Sequence, residues 1–280
     1  MIERQLNTIY ERLGQKPLLI DTYINKDKNK QPLIIFCHGY KGYKDWGAWS
    51  LMALEFAKAG YAFIKFNFSH NGGTMNNPID FPDLEAFGHN NYSKELNDLG
   101  DMIDWCMTNF EDNPSANTEE IILIGHSRGG GMVVLKAAED ARVKRIISLA
   151  GVSDYKSRFP QGEDFKKWKE EGVTYVVNGR TKQNMPHYFQ YYEDFITNED
   201  RLTISKAAQA INCPMLIIQG THDDAVKPFE AKRLKEWYPH SELFWVEGAN
   251  HVFGMKQPWE EQNLPEDMQL VIHKCLGFLA

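Results

Sequence analysis

The chain has 280 residues, and its 31 lysines and arginines against 38 aspartates and glutamates give a formal net charge of −7. This length suits one large domain or a core with a modest insertion, and a hydrophobic content of 42% argues against wholesale disorder. The acidic balance argues against a nucleic-acid or anionic-membrane partner, because net charge attracts neither.

Strands and helices alternate along most of the chain. Apolar runs predict buried strands at 33–37, 61–68, 121–124, 145–150, 214–218 and 243–246. Amphipathic patterns predict helices at 48–59, 92–110, 128–139, 229–237 and 266–279. The alternation indicates βαβ units, so we expect an α/β protein with a mostly parallel, doubly wound sheet that helices cover on both faces.

One segment interrupts this alternation. Residues 152–204 are polar and rich in aromatic side chains, and unstructured loops of this length are uncommon in compact domains. We therefore expect a small cap, inserted into a core that consists of residues 1–151 and 205–280. Most of the aromatic side chains are expected to pack against one another, and Trp168 and the tyrosines also fit the wall of a substrate pocket.

The sharpest motif is Gly125-His126-Ser127-Arg128-Gly129, which matches G-x-S-x-G between a predicted strand and a predicted helix. In that context the serine is held in a strained strand-to-helix turn. The flanking glycines are needed because a side chain at either position would crowd the neighbouring strand or helix. Ser127 is therefore the candidate nucleophile, and the alternative is a plain glycine-rich turn without a catalytic role.

A serine hydroxyl is a poor nucleophile near neutral pH, so it needs a base that a carboxylate orients. Asp223 lies in the loop after the predicted strand at 214–218, and His251 lies in the loop after the strand at 243–246. The carboxyl ends of parallel strands are where α/β sheets place their sites. The chain order Ser127, Asp223, His251 is the order that this architecture uses.

Other residues compete for these roles. Asp224 stays open as the acid, because sequence alone does not exclude a shift of one residue. His222 is a poorer base than His251, because a base adjacent to its own acid does not easily place that acid behind its ring. His126 is expected to point away from the serine and to be structural. Surface or packing roles are expected for His70, His89, His187, His240 and His273.

The sequence resembles the α/β-hydrolase superfamily, and within it small bacterial carboxylesterases of the feruloyl (cinnamoyl) esterase type and related serine-peptidase-like hydrolases. The resemblance covers nearly the whole chain. It rests on four segments, His38-Gly39-Tyr40-Lys41-Gly42, the Ser127 turn, Gly220-x-x-Asp223-x-x-Val226 and Gly248-Ala249-Asn250-His251. The third segment usually reads G-x-x-D-x-x-V in this family, which favours Asp223 over Asp224. Residues 67–74 depart from the D-x-R-G-x-G-x-S stretch that relatives often carry.

Acyl hydrolysis passes through a tetrahedral oxyanion, which requires preorganised hydrogen-bond donors. The resemblance implies that the backbone N–H groups of Tyr40 and Arg128 form this oxyanion hole. His38 and Gly39 would support the loop that carries Tyr40, with the His38 side chain bracing it by hydrogen bonding.

The expected function is that of a serine hydrolase that cleaves small-molecule carboxylic esters through an acyl-enzyme intermediate. A peptidase or a thioesterase would use the same triad, and an acidic pocket residue that captures an amino terminus would favour the peptidase. A non-catalytic binding protein on the same fold is a further alternative. Metal-ligand clusters and nucleotide-binding motifs are absent from the sequence, so neither a metal nor an organic cofactor is implied.

The cysteines are scattered, at Cys37, Cys106, Cys213 and Cys275. This pattern fits a reducing compartment better than a disulfide framework. The N-terminus lacks the apolar stretch of a secretory signal, and apolar runs stay below the roughly 18 residues of a membrane span. We therefore expect a cytoplasmic protein, and with Ser127 in the turn none of the thiols is needed as a nucleophile.

Overall fold

A computed structural model describes residues 1–280. The strands are β1 (Ile2–Tyr10), β2 (Leu18–Asn25), β3 (Gln31–Cys37), β4 (Ala62–Asn67), β5 (Ala116–His126), β6 (Val143–Leu149), β7 (Val173–Val177), β8 (Asn184–Tyr188), β9 (Met215–Gly220) and β10 (Glu242–Val246). The helices are α1 (Trp49–Ala59), α2 (Leu84–Gly88), α3 (Tyr92–Asn109), α4 (Arg128–Glu139), α5 (Gly162–Glu171), α6 (Gln190–Thr197), α7 (Glu199–Leu202), α8 (Ile204–Ala210), α9 (Pro228–Trp237) and α10 (Glu266–Leu279). None of the helices has the length and apolar character that crossing a membrane requires.

Eight strands form one sheet in the order β1-β2-β4-β3-β5-β6-β9-β10. Strand β2 pairs antiparallel with β1 and with β4, and every pair from β4 to β10 is parallel. The parallel strands place their carboxyl ends at one edge, from which the loops after β3, β5, β9 and β10 emerge. This architecture confirms the predicted α/β-hydrolase fold, with its mostly parallel, doubly wound sheet.

Helices cover both faces of the sheet. Consecutive residues of β3 show the division, since Ile35 belongs to a core that includes α3, α4, α8 and α9, whereas Ile34 belongs to a core that includes α1 and α10. Both side chains are fully buried. A strand that is buried on both faces reads as a continuous apolar run, which is why β3 was recognisable in the sequence.

Strands β1 and β2 were not predicted from the sequence. Strand β1 is an edge strand whose residues are mostly exposed, so it lacks an apolar run. Strand β2 is buried but carries Asp21, whose carboxylate pairs with the ammonium groups of Lys44 and Lys65 at 2.8 and 2.7 Å. All three charged side chains are at most 2% exposed. An ion cluster inside the core breaks the apolar pattern from which strands are predicted.

Residues 152–204 contain α5, α6, α7 and an antiparallel hairpin of β7 and β8. Trp168 is almost fully buried, and its indole N–H donates to the carbonyl oxygen of His187 at 2.7 Å. Phe159 and Phe189 pack against the same indole. The aromatic side chains thus pack largely against one another, although Tyr175 is 60% exposed. The division into a core and a cap stays a prediction.

Candidate active site

Ser127 occupies the turn between β5 and α4, with φ 57° and ψ −117°. Non-glycine residues rarely adopt such a positive φ, so the turn is strained. A Cβ atom on Gly125 would lie 2.0 Å from the carbonyl oxygen of Gly129, and one on Gly129 would lie 2.3 Å from that of Cys37. Both positions therefore require glycine, because neighbouring backbone atoms leave no room for a Cβ atom.

His251 links Ser127 to a carboxylate. Its Nε2 lies 3.0 Å from the Oγ of Ser127, and its Nδ1 lies 2.8 Å from Oδ2 of Asp223. The serine follows β5, the aspartate follows β9, and the histidine follows β10, so loops at the carboxyl ends of three parallel strands bring them together. These distances suit a nucleophile, a base and an orienting acid.

Asp223 is buried and fully hydrogen-bonded. Its Oδ1 accepts the backbone N–H groups of Ala225 and Val226 at 2.9 Å each, and its Oδ2 accepts the side-chain amide of Gln219 at 2.9 Å. Burial opposes ionisation, but the hydrogen bond and charge of His251 outweigh it and hold the pKa of Asp223 below its ordinary value. The carboxylate is therefore charged at neutral pH.

Asp224 and His222, the alternative acid and base in the same loop, make no hydrogen bond to Ser127 or His251. The Asp224 side chain is 98% exposed and pairs with the ammonium group of Lys227 at 2.7 Å. His222 is also exposed. Neither hydrogen-bonds to His251 or to Ser127, so the structure places Asp223 rather than Asp224 beside His251.

His126 supports the loop that carries His251. Its buried imidazole donates from Nε2 to the carbonyl oxygen of His251 at 2.9 Å, and the two rings lie 4.8 Å apart. Burial and the adjacent His251 lower the pKa of His126 to about 3. The imidazole is thus neutral near pH 7, and its contacts are those of a structural residue.

The loop after β3 packs directly against the serine. A Cβ atom on Gly39 would lie 2.9 Å from that of Ser127, so only glycine fits. The His38 imidazole donates from Nδ1 to the Gly39 carbonyl oxygen at 2.9 Å and accepts the N–H of Phe68 at 3.3 Å. Burial lowers the pKa of His38 to about 4, which keeps this bracing residue neutral.

The backbone N–H groups of Tyr40 and Arg128 are free. Neither donates a hydrogen bond to another group of the protein. Tyr40 follows Gly39, which touches the serine, and Arg128 follows the serine itself. Two unpaired N–H donors beside a serine hydroxyl are an arrangement that could stabilise a developing oxyanion.

Residues 67–74, which depart from the pattern of relatives, hydrogen-bond to the loop after β3. The Asn67 side chain accepts the N–H of Lys44 at 2.6 Å, and the Asn71 amide donates to the carbonyl oxygen of Gly42 at 3.3 Å. The segment thus supports the loop after β3 through amide side chains.

Two cavities meet at the serine. The first, the aromatic cavity, has a volume of about 490 Å³, and its walls include Tyr92, Tyr155, Phe159, Trp168 and Tyr191. The second, the polar cavity, has a volume of about 450 Å³, and its walls include Trp46, Trp49, Asn178, Arg180 and Gln257. Only four residues line both cavities, namely Tyr40, Lys41, Ser127 and His251.

The Arg128 side chain extends from the turn into a buried aromatic cage. Its Nη1 donates to Glu95 at 2.9 Å, and its guanidinium lies 4.4 Å from the ring centre of Tyr40 and 5.2 Å from that of Tyr92. Burial opposes the charge, but the tyrosines and Glu95 outweigh it and raise the pKa of Arg128. The arginine thereby ties α4 to α3 and to the loop after β3.

Cysteines and metal ligands play no part in this arrangement. All four cysteines are buried and free, and none of them lines either cavity. The structure contains no group of three or more His, Cys, Asp or Glu side chains arranged to hold a metal ion.

Gln219 and Glu95 were not identified from the sequence. Gln219 is the one polar residue before the final glycine of the apolar strand β9. Glu95 lies on the buried face of α3 together with Leu99 and Met102. A polar residue at a position where the periodicity demands an apolar one is the signal that could have identified both.

The eight-stranded sheet and the serine turn define an α/β hydrolase. Residues 55–266 match the prolyl oligopeptidase family. The chain belongs to this family, which confirms the predicted relationship to the α/β-hydrolase superfamily.

One relative and two solved structures are similar to the chain over most of its length. An uncharacterised 31.7 kDa Escherichia coli protein, from the traX-finO intergenic region, is 33% identical over 234 residues, which cover 73% of this chain and 77% of the relative. Est1E of Butyrivibrio proteoclasticus, solved with ferulic acid, has a TM-score of 0.69 at 17% identity and covers 97% of both chains. The esterase domain of a Rhodothermus marinus protein has a TM-score of 0.66 at 16% identity, over 99% of this chain and 97% of that one. The two structures show a shared fold.

Proposed function

We propose that the protein is a serine hydrolase that cleaves carboxylic esters of small molecules through an acyl-enzyme intermediate. The observation that carries this proposal is the hydrogen-bonded series from Ser127 through His251 to Asp223. It lies beside two unpaired N–H groups and at the junction of two cavities. Esterases among the structural neighbours support the same class of substrate.

In the acylation step, the Ser127 oxygen attacks the ester carbonyl carbon while its proton moves to Nε2 of His251. The carbonyl oxygen becomes an oxyanion, which the N–H groups of Tyr40 and Arg128 stabilise. Asp223 stabilises the imidazolium without taking its proton. The C–O bond to the alcohol then breaks, the alcohol takes the proton from His251, and the acyl group stays on the serine.

In the deacylation step, His251 takes a proton from a water molecule as the water oxygen attacks the acyl carbon. The same two N–H groups hold the second oxyanion. Its collapse breaks the bond to Ser127, whose oxygen recovers the proton from His251. The carboxylic acid leaves, and the enzyme returns to its starting state.

Membership of the prolyl oligopeptidase family makes peptide hydrolysis the second candidate. The charged side chains that line the cavities argue against a peptidase that binds the amino terminus of its substrate. They are all cationic, namely Lys41, Arg128, Arg158 and Arg180. Arg128, Arg158 and Arg180 are paired with carboxylates, so the repulsion of a positively charged amino terminus would come from Lys41. An ester without that charge would not be repelled.

A substrate panel tests the proposal. We expect kcat/KM to be highest for 4-nitrophenyl butyrate, lower for the butyryl thioester and lowest for aminoacyl 4-nitroanilides. A fluorophosphonate probe is expected to label the wild-type protein and not the folded Ser127→Ala variant. A preference for anilides would favour the peptidase, and a preference for thioesters would favour the thioesterase. A folded wild-type protein that the probe does not label would favour the non-catalytic binding protein.

A further inference from the structure

Lys41 differs from the other cations of the two cavities. Arg128 pairs with Glu95, Arg158 pairs with Glu230, and Arg180 pairs with Asp80. Lys41 has no carboxylate partner, and burial together with the nearby charge of Arg128 lowers its pKa. A partly buried charge without a counterion is costly to the fold and is typical of binding sites.

The position of Lys41 is fixed by its loop. The residue has a positive φ of 54°, and its ammonium group lies 5.1 Å from the ring centre of Tyr40. A turn bond from the Gly42 N–H to the Gly39 carbonyl oxygen, 3.0 Å long, closes the loop around it. A strained backbone that presents a charged side chain at a cavity fits a ligand-binding role. Lys41 is also one of the four residues that line both cavities.

The polar cavity offers donors rather than acceptors. The side-chain oxygen of Asn178 accepts the N–H of Arg180 at 3.0 Å, and that of Gln257 accepts the N–H of Gly47 at 2.5 Å. These bonds occupy the amide oxygens and leave the NH₂ groups of Asn178 and Gln257 as donors. Together with Lys41 and Arg180, they form a lining that suits a group rich in acceptor oxygens.

We propose that Lys41 binds a carboxylate carried by the substrate, in the polar cavity, so that the enzyme prefers esters with a negatively charged group to neutral esters of the same size. This inference rests on the proposed ester hydrolysis and names the substrate class. A charge-assisted hydrogen bond in a partly buried site corresponds to about 10- to 100-fold in kcat/KM. The net charge of −7 would repel such substrates at long range, so the recognition is local to the site.

Matched substrate pairs test the inference. Mono-4-nitrophenyl succinate against 4-nitrophenyl butyrate places the charge on the acyl side, and 4-acetoxybenzoate against phenyl acetate places it on the alcohol side. For the wild type, we expect a higher kcat/KM for the charged member of at least one pair. We expect Lys41→Met to reduce the charged-to-neutral ratio of that pair about 10- to 100-fold, and Lys41→Arg to retain most of it. Lys169→Met, which removes an exposed charge from α5, should leave the ratio unchanged.

Two outcomes would overturn the inference. One is a wild-type enzyme that hydrolyses the neutral esters without preferring the charged member of either pair. The other is a Lys41→Met variant in which both members of each pair lose activity equally, which would indicate a general role of Lys41 in the loop. Failure of the proposed function looks different, because neither the neutral nor the charged esters would then be hydrolysed.

A binding measurement keeps the test independent of turnover. Calorimetry with mono-4-nitrophenyl succinate and the Ser127→Ala variant should show an affinity that falls about 10- to 100-fold when Lys41→Met is added. Equal affinities of the two variants would contradict the inference, whatever the enzyme hydrolyses.

Discussion

The hydroxyl of Tyr40 lies 2.6 Å from Nε2 of His187, and this contact joins the loop after β3 to strand β8. Burial and the nearby charges of Arg128 and Lys41 lower the pKa of His187 to about 3, so its imidazole is neutral at pH 7. The unprotonated Nε2 of the neutral imidazole accepts a hydrogen bond from the Tyr40 hydroxyl. His187 is therefore placed to position the backbone N–H that Tyr40 would offer to the oxyanion.

We expect His187→Ala to reduce kcat for 4-nitrophenyl butyrate about tenfold, roughly the contribution of one hydrogen bond, with a smaller effect on KM. Tyr40→Phe removes the same hydrogen bond and should have a similar effect. The double variant should be no worse than either single variant, because both remove one shared interaction. Additive losses would show that the two residues act separately, and His187→Gln should restore part of the activity.

Ser127→Ala, His251→Ala and the double variant are expected to lose nearly the same activity, about a millionfold in kcat for 4-nitrophenyl butyrate. The reason is that a nucleophile and its base act as a unit, so that removing either one disables both. Circular dichroism of each variant should match that of the wild type. Substantial turnover by folded Ser127→Ala would refute the assignment of the nucleophile.

Asp223→Asn should reduce kcat about ten-thousandfold, because the amide cannot stabilise the imidazolium of His251. Asp224→Asn changes a side chain that is 98% exposed and should leave kcat close to that of the wild type. The comparison is well matched, since the two variants differ by one position in the same loop. The reverse ranking would assign the acid to Asp224.

Arg128→Met should destabilise the fold by about 3–5 kcal/mol, because it leaves the carboxylate of Glu95 buried without its partner. The two side chains are 11% and 5% exposed. Urea unfolding measures the loss, and the double variant Arg128→Met/Glu95→Met should recover part of it. Lys166→Met breaks the exposed pair with Glu163 and should leave the urea midpoint unchanged. An equal response of the buried and the exposed pair would contradict the argument.

The buried histidines predict a loss of stability in mild acid. The pKa of His126 is about 3 in the folded state, against about 6.5 in an unfolded chain. Below pH 6.5 the unfolded chain therefore binds a proton that the folded protein does not, so stability falls as the pH drops towards 3 and is fully present above 6.5. His38 and His187, with pKa values of about 4 and about 3, act in the same direction.

Urea unfolding at pH 7 and at pH 5 measures this dependence. In His126→Gln, whose amide can still donate to the carbonyl oxygen of His251, we expect a smaller difference between the two midpoints than in the wild type. An unchanged difference would mean that His126 does not contribute to the acid sensitivity.

The parallel part of the sheet could be predicted because its strands are buried on both faces and read as apolar runs, as β3 and β9 do. Strands β1 and β2 could not, because one is exposed and the other contains Asp21 with its two lysine partners. A strand could thus be predicted where both of its faces contact apolar residues, and not where one face is exposed or contacts buried charges.

The site follows the same logic. Ser127 is identifiable because its turn imposes glycines at fixed spacing, and those glycines meet backbone atoms in the structure. The N–H groups of Ala225 and Val226 reach Asp223 and not Asp224, and composition does not encode that distance. That Lys41 has no carboxylate partner depends on the positions of side chains that are far apart in the sequence. The catalytic roles and the cytoplasmic location stay predictions.

The two cavities share little besides the reacting residues, and this has a consequence for the order of events in turnover. In the proposed mechanism, an ester split at Ser127 would be divided between two chambers, so its two halves need not leave by the same route. After the alcohol departed from one chamber, the acyl group would still fill the other, and the emptied chamber would give the incoming water a path to the acyl carbon. Reshaping one chamber should therefore alter either the first or the second half of the cycle, and a pre-steady-state burst would reveal which half had changed.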